Sequence, residues 1–244
     1  MSYYSIKRDV VEFFKIPQIA RISRWSLRLL MVLLVMDAGY LVGIWPDWDR
    51  YAHGPVLQSS FIRSYILEQY RHRDWPNLRW NPVSIRNIPK HMIRALIVAE
   101  DARFYEHRGI DTEALKEAME YNLSEKRIVY GASTISQQTV KNIFLSASRN
   151  PLRKWHELLL TLAMERNITK KRILEIYLNI AEFGRGVYGV DAAARFYWGI
   201  PASELTIRQA IELAASLPSP VHNNPQTRTK FFMRRVHKIS RWFL

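Results

Sequence analysis

From Leu29 to Trp45 the chain reads LLMVLLVMDAGYLVGIW, an apolar run broken only by Asp37 and long enough to cross a bilayer with its aromatic ends. After Pro46 the pattern turns to helical spacing. Leu57, Phe61 and Tyr65, then Ile62, Ile66 and Tyr70, predict an amphipathic helix over 57–72. RDWPNLRWNPVS follows as a connector, and Pro89 opens an apolar run from Met92 to Ala99 that delivers Glu100 and Asp101 at its end. Asp111 is placed to cap a helix over 112–123, and Ser124 to Ser133 predicts a loop. Thr134 and Gln137 have capping-box spacing at the start of a helix to Phe144. Asn150 and Pro151 open a helix to about Arg166, and Thr169 caps Lys170 to Ile180. Gly184, Gly186 and Gly189 form a turn before a small-residue helix around Ala192 to Ala194. No alternation is strong enough to build a large sheet, so the fold is predicted to be mainly α.

At the C-terminus, Phe232, Val236, Ile239 and Phe243 recur at i, i+4, i+7 and i+11 among Lys230, Arg234, Arg235, Lys238 and Arg241. Two readings are open: an interfacial helix that helps hold the protein against a membrane, or a stripe that packs on the protein's own core.

The charge pattern gives the apolar run a direction. Lys15, Arg21, Arg24 and Arg28 precede it, whereas only Arg50 follows within fifteen residues, which puts the N-terminus in the cytoplasm. A cleaved signal peptide fits less well, because the basic leader is long and no A-x-A-like site follows. Trp25, Tyr40, Trp45 and Trp48 sit where interfacial belts fall, which disfavours a buried soluble helix. The 244 residues hold one sizeable domain besides this segment. Lys plus Arg exceed Asp plus Glu by 36 to 22, a net +14 that attracts anionic partners. An extracytoplasmic basic domain disfavours nucleic acid. With no cysteine there is no disulfide framework, thiolate nucleophile or Cys-based metal site. The histidines show no ligand spacing, so no protein-built metal site is expected.

Three stretches could carry chemistry. In EDARFYEHRG, Glu100 to Gly109, a carboxylate at the end of an apolar helix is partly desolvated and suited to take a proton. In GASTISQQTVKN, Gly131 to Asn142, hydroxyls and a helix N-terminus offer donors to an anion, with Lys141 one turn beyond Gln137. Arg149, Arg153 and Lys154 lead into Glu157, with Arg153 and Glu157 one turn apart. Taken singly, each also fits a solvated helix end, a capped surface helix or an ordinary ion pair.

Together with KKRILEIYLN and GRGVYGVDAAARFYWG, these stretches resemble, in order and spacing, the five signatures of the glycosyltransferase family 51 domain. That domain occurs in bifunctional penicillin-binding proteins and monofunctional peptidoglycan transglycosylases; a chain ending at Leu244 resembles the second kind. The resemblance covers roughly residues 80–220. It implies a lysozyme-like helical glycosyltransferase domain with a smaller membrane-associated lobe. The organisation expected is a cytoplasmic basic tail (1–24), a transmembrane signal anchor (25–48), a connector with an amphipathic helix (49–80) and the glycosyltransferase domain (81–244).

The resemblance also implies the reaction: polymerisation of lipid II into a glycan strand with inversion and release of undecaprenyl diphosphate, outside the cell inner membrane. Glu100 matches the general base, and Glu157 a second glutamate that acts by positioning or electrostatics. Lys141, Arg149, Arg153 and Lys154 match positions near the donor diphosphate. Ser133, Thr134, Gln137, Gln138 and Asn142 match residues that shape the cleft, and Asp101, Phe104, His107 and Gly109 support the loop of Glu100. No cofactor is built into the chain, although a divalent cation, Mg or Mn, is admitted at the diphosphate. Cell-division or other wall-synthesis proteins are admitted as partners, but no motif specifies one. Trp198 and Ile200 depart from the family's usual Phe and Lys, at a surface position. A lysozyme-like hydrolase or lytic transglycosylase is the alternative, and it leaves the cations without a purpose.

Overall fold

The computed structural model describes residues 17–125, 131–146, 148 and 150–243, the side chains of 17–23 excepted. The chain divides into two compact units, 1–46 and 47–244. In the first, helix α1 (Pro17–Ile44) carries the apolar run; Arg24–Ile44 is long and apolar enough to cross a membrane.

The second unit begins with a short helix α2 (Trp48–His53), which the periodicity did not show, and continues with α3 (Ser60–Arg71). The segment 49–80, expected as a connector, packs as part of this unit. Ile62 and Tyr65 are buried against Tyr188, and the Ser60 hydroxyl donates to the Asn142 carbonyl at 3.0 Å. Strand β1 (Arg79–Trp80) runs parallel to β3 (Val187–Tyr188), and β2 (Glu182–Gly184) pairs antiparallel to β3. The glycine-rich turn is therefore a hairpin: Gly186 takes φ 72°, where a Cβ would lie 2.5 Å from the Tyr65 hydroxyl oxygen.

The helices that build the site are α4 (Lys90–Glu100), α5 (Thr112–Ser124), α6 (Ile135–Phe144), α7 (Pro151–Asn167) and α8 (Lys170–Ile180). They are followed by α9 (Val190–Trp198), α10 (Ile207–Ser216) and α11 (Lys230–Ser240). Each cap read from the sequence is formed: Asp111, Thr134 with Gln137, Asn150 and Thr169 all accept a backbone N–H. Two packed groups result, α4 with α10 and α11, and α6 with α7 and α8. The cleft lies where they meet. Ala192, Ala193 and Ala194 of α9 are buried, and their small size lets that helix sit close to its neighbours.

The apolar stripe of α11 faces inward. Phe232 and Ile239 are buried where α11 packs on α10 and α4, and Val236 and Phe243 are half-buried, which favours packing on the domain's own core over a membrane contact through this stripe. By contrast, α5 buries no side chain, and its Leu115, Met119, Tyr121 and Leu123 are exposed, as are Leu152 and Trp155 of α7.

One buried amide joins the sheet to the helices. Asn179 of α8 exchanges two hydrogen bonds with the backbone of Val83, at 2.8 and 2.9 Å, and its carbonyl accepts from the Trp80 indole at 2.9 Å. Asn179→Ala would leave both backbone groups of Val83 unpaired in a half-buried setting. Denaturant titration should show a loss of about 1–3 kcal/mol.

Candidate active site

The last residue of α4 is Glu100, and the apolar helix carries its carboxylate into the cleft. Oε2 accepts from the Gln138 amide at 3.0 Å, and Oε1 from the Arg235 guanidinium of α11 at 2.9 Å. Gln138 is itself oriented, because the Tyr177 hydroxyl donates to its oxygen at 2.8 Å. The amide nitrogen must then face Glu100. Burial raises the Glu100 carboxyl above the ordinary carboxylate range; the bonds from Gln138 and Arg235 and the charges of Arg235 and Lys141 oppose this without cancelling it. The group is therefore a better proton acceptor than a solvated glutamate.

The loop after Glu100 is fixed by Asp101. Its carboxylate faces His107 Nε2 at 3.0 Å and accepts from the Ile135 backbone N–H at 2.9 Å. His107 Nδ1 accepts from the Gly109 N–H at 3.1 Å, which puts the ring proton on Nε2, toward Asp101. Gly109 has φ 98°, and a Cβ there would lie 2.9 Å from Thr161. The Thr134 hydroxyl donates to the Gly109 carbonyl at 2.6 Å while capping α6. Phe104 is fully buried, with the Lys170 ammonium 4.3 Å from its ring centroid. Asp101, Phe104, His107, Gly109, Thr134 and Gln137 thus form one rigid support. Gln137 belongs to the cap, not to the cleft wall.

On α6, Gln138, Lys141 and Asn142 face a cavity of ≈ 120 Å³ that also touches Phe61, Tyr177 and Glu182. Lys141 stands 5.8 Å from the Phe61 ring centroid. Burial lowers its ammonium below the ordinary lysine range; Glu157 opposes this, while the like charges of Arg153 and Lys154 reinforce it. A partly desolvated cation in a basic cluster is suited to receive an anion. Glu182, which sequence reasoning missed, has its carboxyl pushed up to about 7 by burial. A second cavity, of ≈ 390 Å³, lies along Glu100, Arg103, Asp111, Ser133, Thr134 and Lys238.

Glu157 is buried on α7 and already held: Arg153 donates to one oxygen at 2.7 Å, and Lys154 pairs with the other. Lys154 also reaches the Ser133 hydroxyl at 3.4 Å. Arg149 lies outside the described residues. Among the described residues no group of three His, Asp or Glu could hold a metal ion.

Arg235 and Tyr177 were also missed. For Arg235 a signal existed: Phe232, Arg235 and Ile239 fall at i, i+3 and i+7, which puts a cation on the buried face of α11. Tyr177 gave none, since an aromatic at helical spacing reads as core.

A family model described as transglycosylase matches residues 65–242. The chain is similar to a protein of Nitrosospira multiformis named biosynthetic peptidoglycan transglycosylase, 38% identical over 220 residues, 89% of this chain and 94% of the relative. A protein of the same name from Laribacter hongkongensis is 45% identical over 224 residues, covering 89% and 98%. Another from Caulobacter vibrioides is 41% identical over 213 residues, covering 87% and 88%.

The Asp101 anchor can be tested apart from any activity. Asp101→Ala removes a buried partner from His107 and from the Ile135 N–H, and thermal denaturation should show a loss of about 3 kcal/mol or more.

Proposed function

The chain belongs to the transglycosylase family and is a peptidoglycan glycosyltransferase of cell-wall synthesis, and on that premise we propose which of its residues carry the transfer. The acceptor is a lipid-linked disaccharide with a free sugar hydroxyl, and the donor is a glycan whose anomeric carbon bears a diphosphate. Glu100 takes the proton from the acceptor hydroxyl as its oxygen attacks the anomeric carbon. The bond to the diphosphate breaks from the opposite face, with inversion, and the leaving diphosphate keeps the electron pair. The single observation that carries this reading is the largely covered Glu100 carboxylate, which lines the ≈ 390 Å³ cavity and is held at 3.0 Å by Gln138, a residue that lines the ≈ 120 Å³ cavity together with Lys141.

A diphosphate needs cations and no proton, which suits Lys141 with Arg153 and, from the sequence, Arg149. In this reading Glu157 positions Arg153 and Lys154 and takes no proton itself. A lytic or hydrolytic enzyme would need a carboxylic acid to protonate a sugar leaving group, and it is not favoured. A divalent cation, Mg or Mn, would add positive charge at the leaving diphosphate; Glu157 is poorly placed to hold it, because its oxygens are paired with Arg153 and Lys154. No step here runs through it.

The N-terminal helix that could span a membrane supports a place in the cell inner membrane, with the basic tail in the cytoplasm and residues 47–244 outside. The exposed apolar side chains of α5 and early α7 support a lobe that touches the bilayer from which the lipid-linked substrate comes.

Two outcomes follow for polymerisation of purified lipid II. Glu100→Gln keeps the size of the side chain and removes the proton acceptor, so turnover should fall at least ~10²-fold with the fold intact by circular dichroism. Activity above about a tenth of wild type contradicts the assignment. Lys141→Ala should lower kcat and kcat/KM together, by about 10²-fold, because the cation acts where charge develops on the leaving group.

A further inference from the structure

The general base is tied to a helix that lies beyond the stretches that carry the family resemblance, though within the span of the family model. Arg235, near the middle of α11, reaches across to α4. Its Nη2 meets Oε1 of Glu100 at 2.9 Å, while its Nε donates to the carbonyl of Ala215 at 3.2 Å. We propose that Arg235 is a positioning residue of the transfer reaction, fixing the general base in the orientation and ionised form that accept the acceptor's proton. The proposal rests on the reading of Glu100 as the base.

The geometry separates Arg235 from the other basic residues of α11. Lys230, Arg234 and Lys238 have exposed side chains, whereas Arg235 lies between the buried Phe232 and Ile239 and is about three-quarters covered. A planar guanidinium reaches a carbonyl with Nε and a carboxylate with Nη2, two donors held at a fixed separation that the single nitrogen of an ammonium does not offer. The Ala215 carbonyl sets where the guanidinium sits, and the guanidinium sets where Oε1 sits. Gln138 fixes Oε2 from the opposite group of helices. One lone pair of each oxygen is thereby engaged, and the others remain for the incoming proton.

Several groups face this carboxylate. From α11 come Arg235 and, across the larger cavity, Lys238. From α6 come Gln138 and Lys141, from α8 the Tyr177 hydroxyl, and from the following loop Asp101 with its partner His107. The α10 helix contributes the Ala215 carbonyl. Among the described residues Arg235 is the cation within ion-pair distance of Glu100, so its removal leaves burial less opposed. Protonation of Glu100 would then set in at higher pH, and the acid limb of the rate profile, below which the base is lost, must move upward.

The test is the pH profile of kcat/KM for full-length chain in detergent with lipid II, for wild type, Arg235→Gln, Arg235→Lys and Glu100→Gln. Arg234→Gln, one position away and exposed, serves as control. Arg235→Gln should move the acid limb up by about one pH unit and regain much of its lost rate at alkaline pH. Arg235→Lys keeps the charge, so the limb should stay near the wild-type position while kcat falls and KM changes little. A role limited to stitching α11 to α4 predicts losses that do not depend on pH. An unmoved limb in Arg235→Gln overturns the proposal. If that variant does not fold, Arg235→Lys decides: wild-type kcat overturns it. Glu100→Gln separates the two readings, since an active Glu100→Gln overturns the base itself, and an inactive one with an unmoved limb in Arg235→Gln overturns only the part given to Arg235.

Discussion

The architecture of the second unit is governed by the cost of keeping a carboxylate at the end of an apolar helix. An isolated ionised carboxyl in such surroundings would take up a proton and lose its charge. Glu100 avoids both full solvation and full neutralisation because donors reach it from two sides, Gln138 from the group of α6, α7 and α8 and Arg235 from the group of α4, α10 and α11. The cleft therefore cannot be assigned to either group alone. Its position follows from the need of both to contribute a donor to one side chain.

The two glutamates of the site show how surroundings can give one residue type two different settings. Glu100 meets one amide, one guanidinium and open cavity, and burial lifts its proton affinity. Glu157 is more deeply buried, and cations occupy both of its oxygens. A carboxylate so held fixes the direction in which Arg153 and Lys154 present their remaining hydrogens. The same ion pairs keep a dense cluster of positive charge from flying apart, and among the described residues Lys141 has no acidic partner within ion-pair distance. Burial lowers its proton affinity, and the neighbouring charges of Arg153 and Lys154 add to that.

Much of this was legible in the sequence for local reasons. Caps depend on residues three apart, so Asp111, Thr134 with Gln137, Asn150 and Thr169 could be read directly. The five signatures gave Glu100, Lys141, Arg153 and Glu157. What stayed hidden depends on contacts far apart in the chain. The parallel pairing of β1 with β3 joins residues about a hundred positions apart, and the two-residue strands are too short to alternate. Gln137 and Gln138 are adjacent and alike in sequence, yet the turn of α6 gives one to the cap and the other to the base. Arg235 sits 135 positions from its partner, and its helix has a pattern that an interfacial helix would share.

Asp101 has a further consequence. By accepting the Ile135 N–H it joins the loop of the base to the first turn of α6, the helix that carries Lys141. Glu100 and Lys141, the proton acceptor and the leaving-group cation of the proposed reaction, are thus measured from a common origin. Small drifts of that origin carry both along, and their separation is preserved where a misplacement of about 1 Å would cost ~10² in rate. The arrangement tolerates motion of the frame but not motion within it, a useful property for an enzyme whose product is a long polymer that can pull on the site.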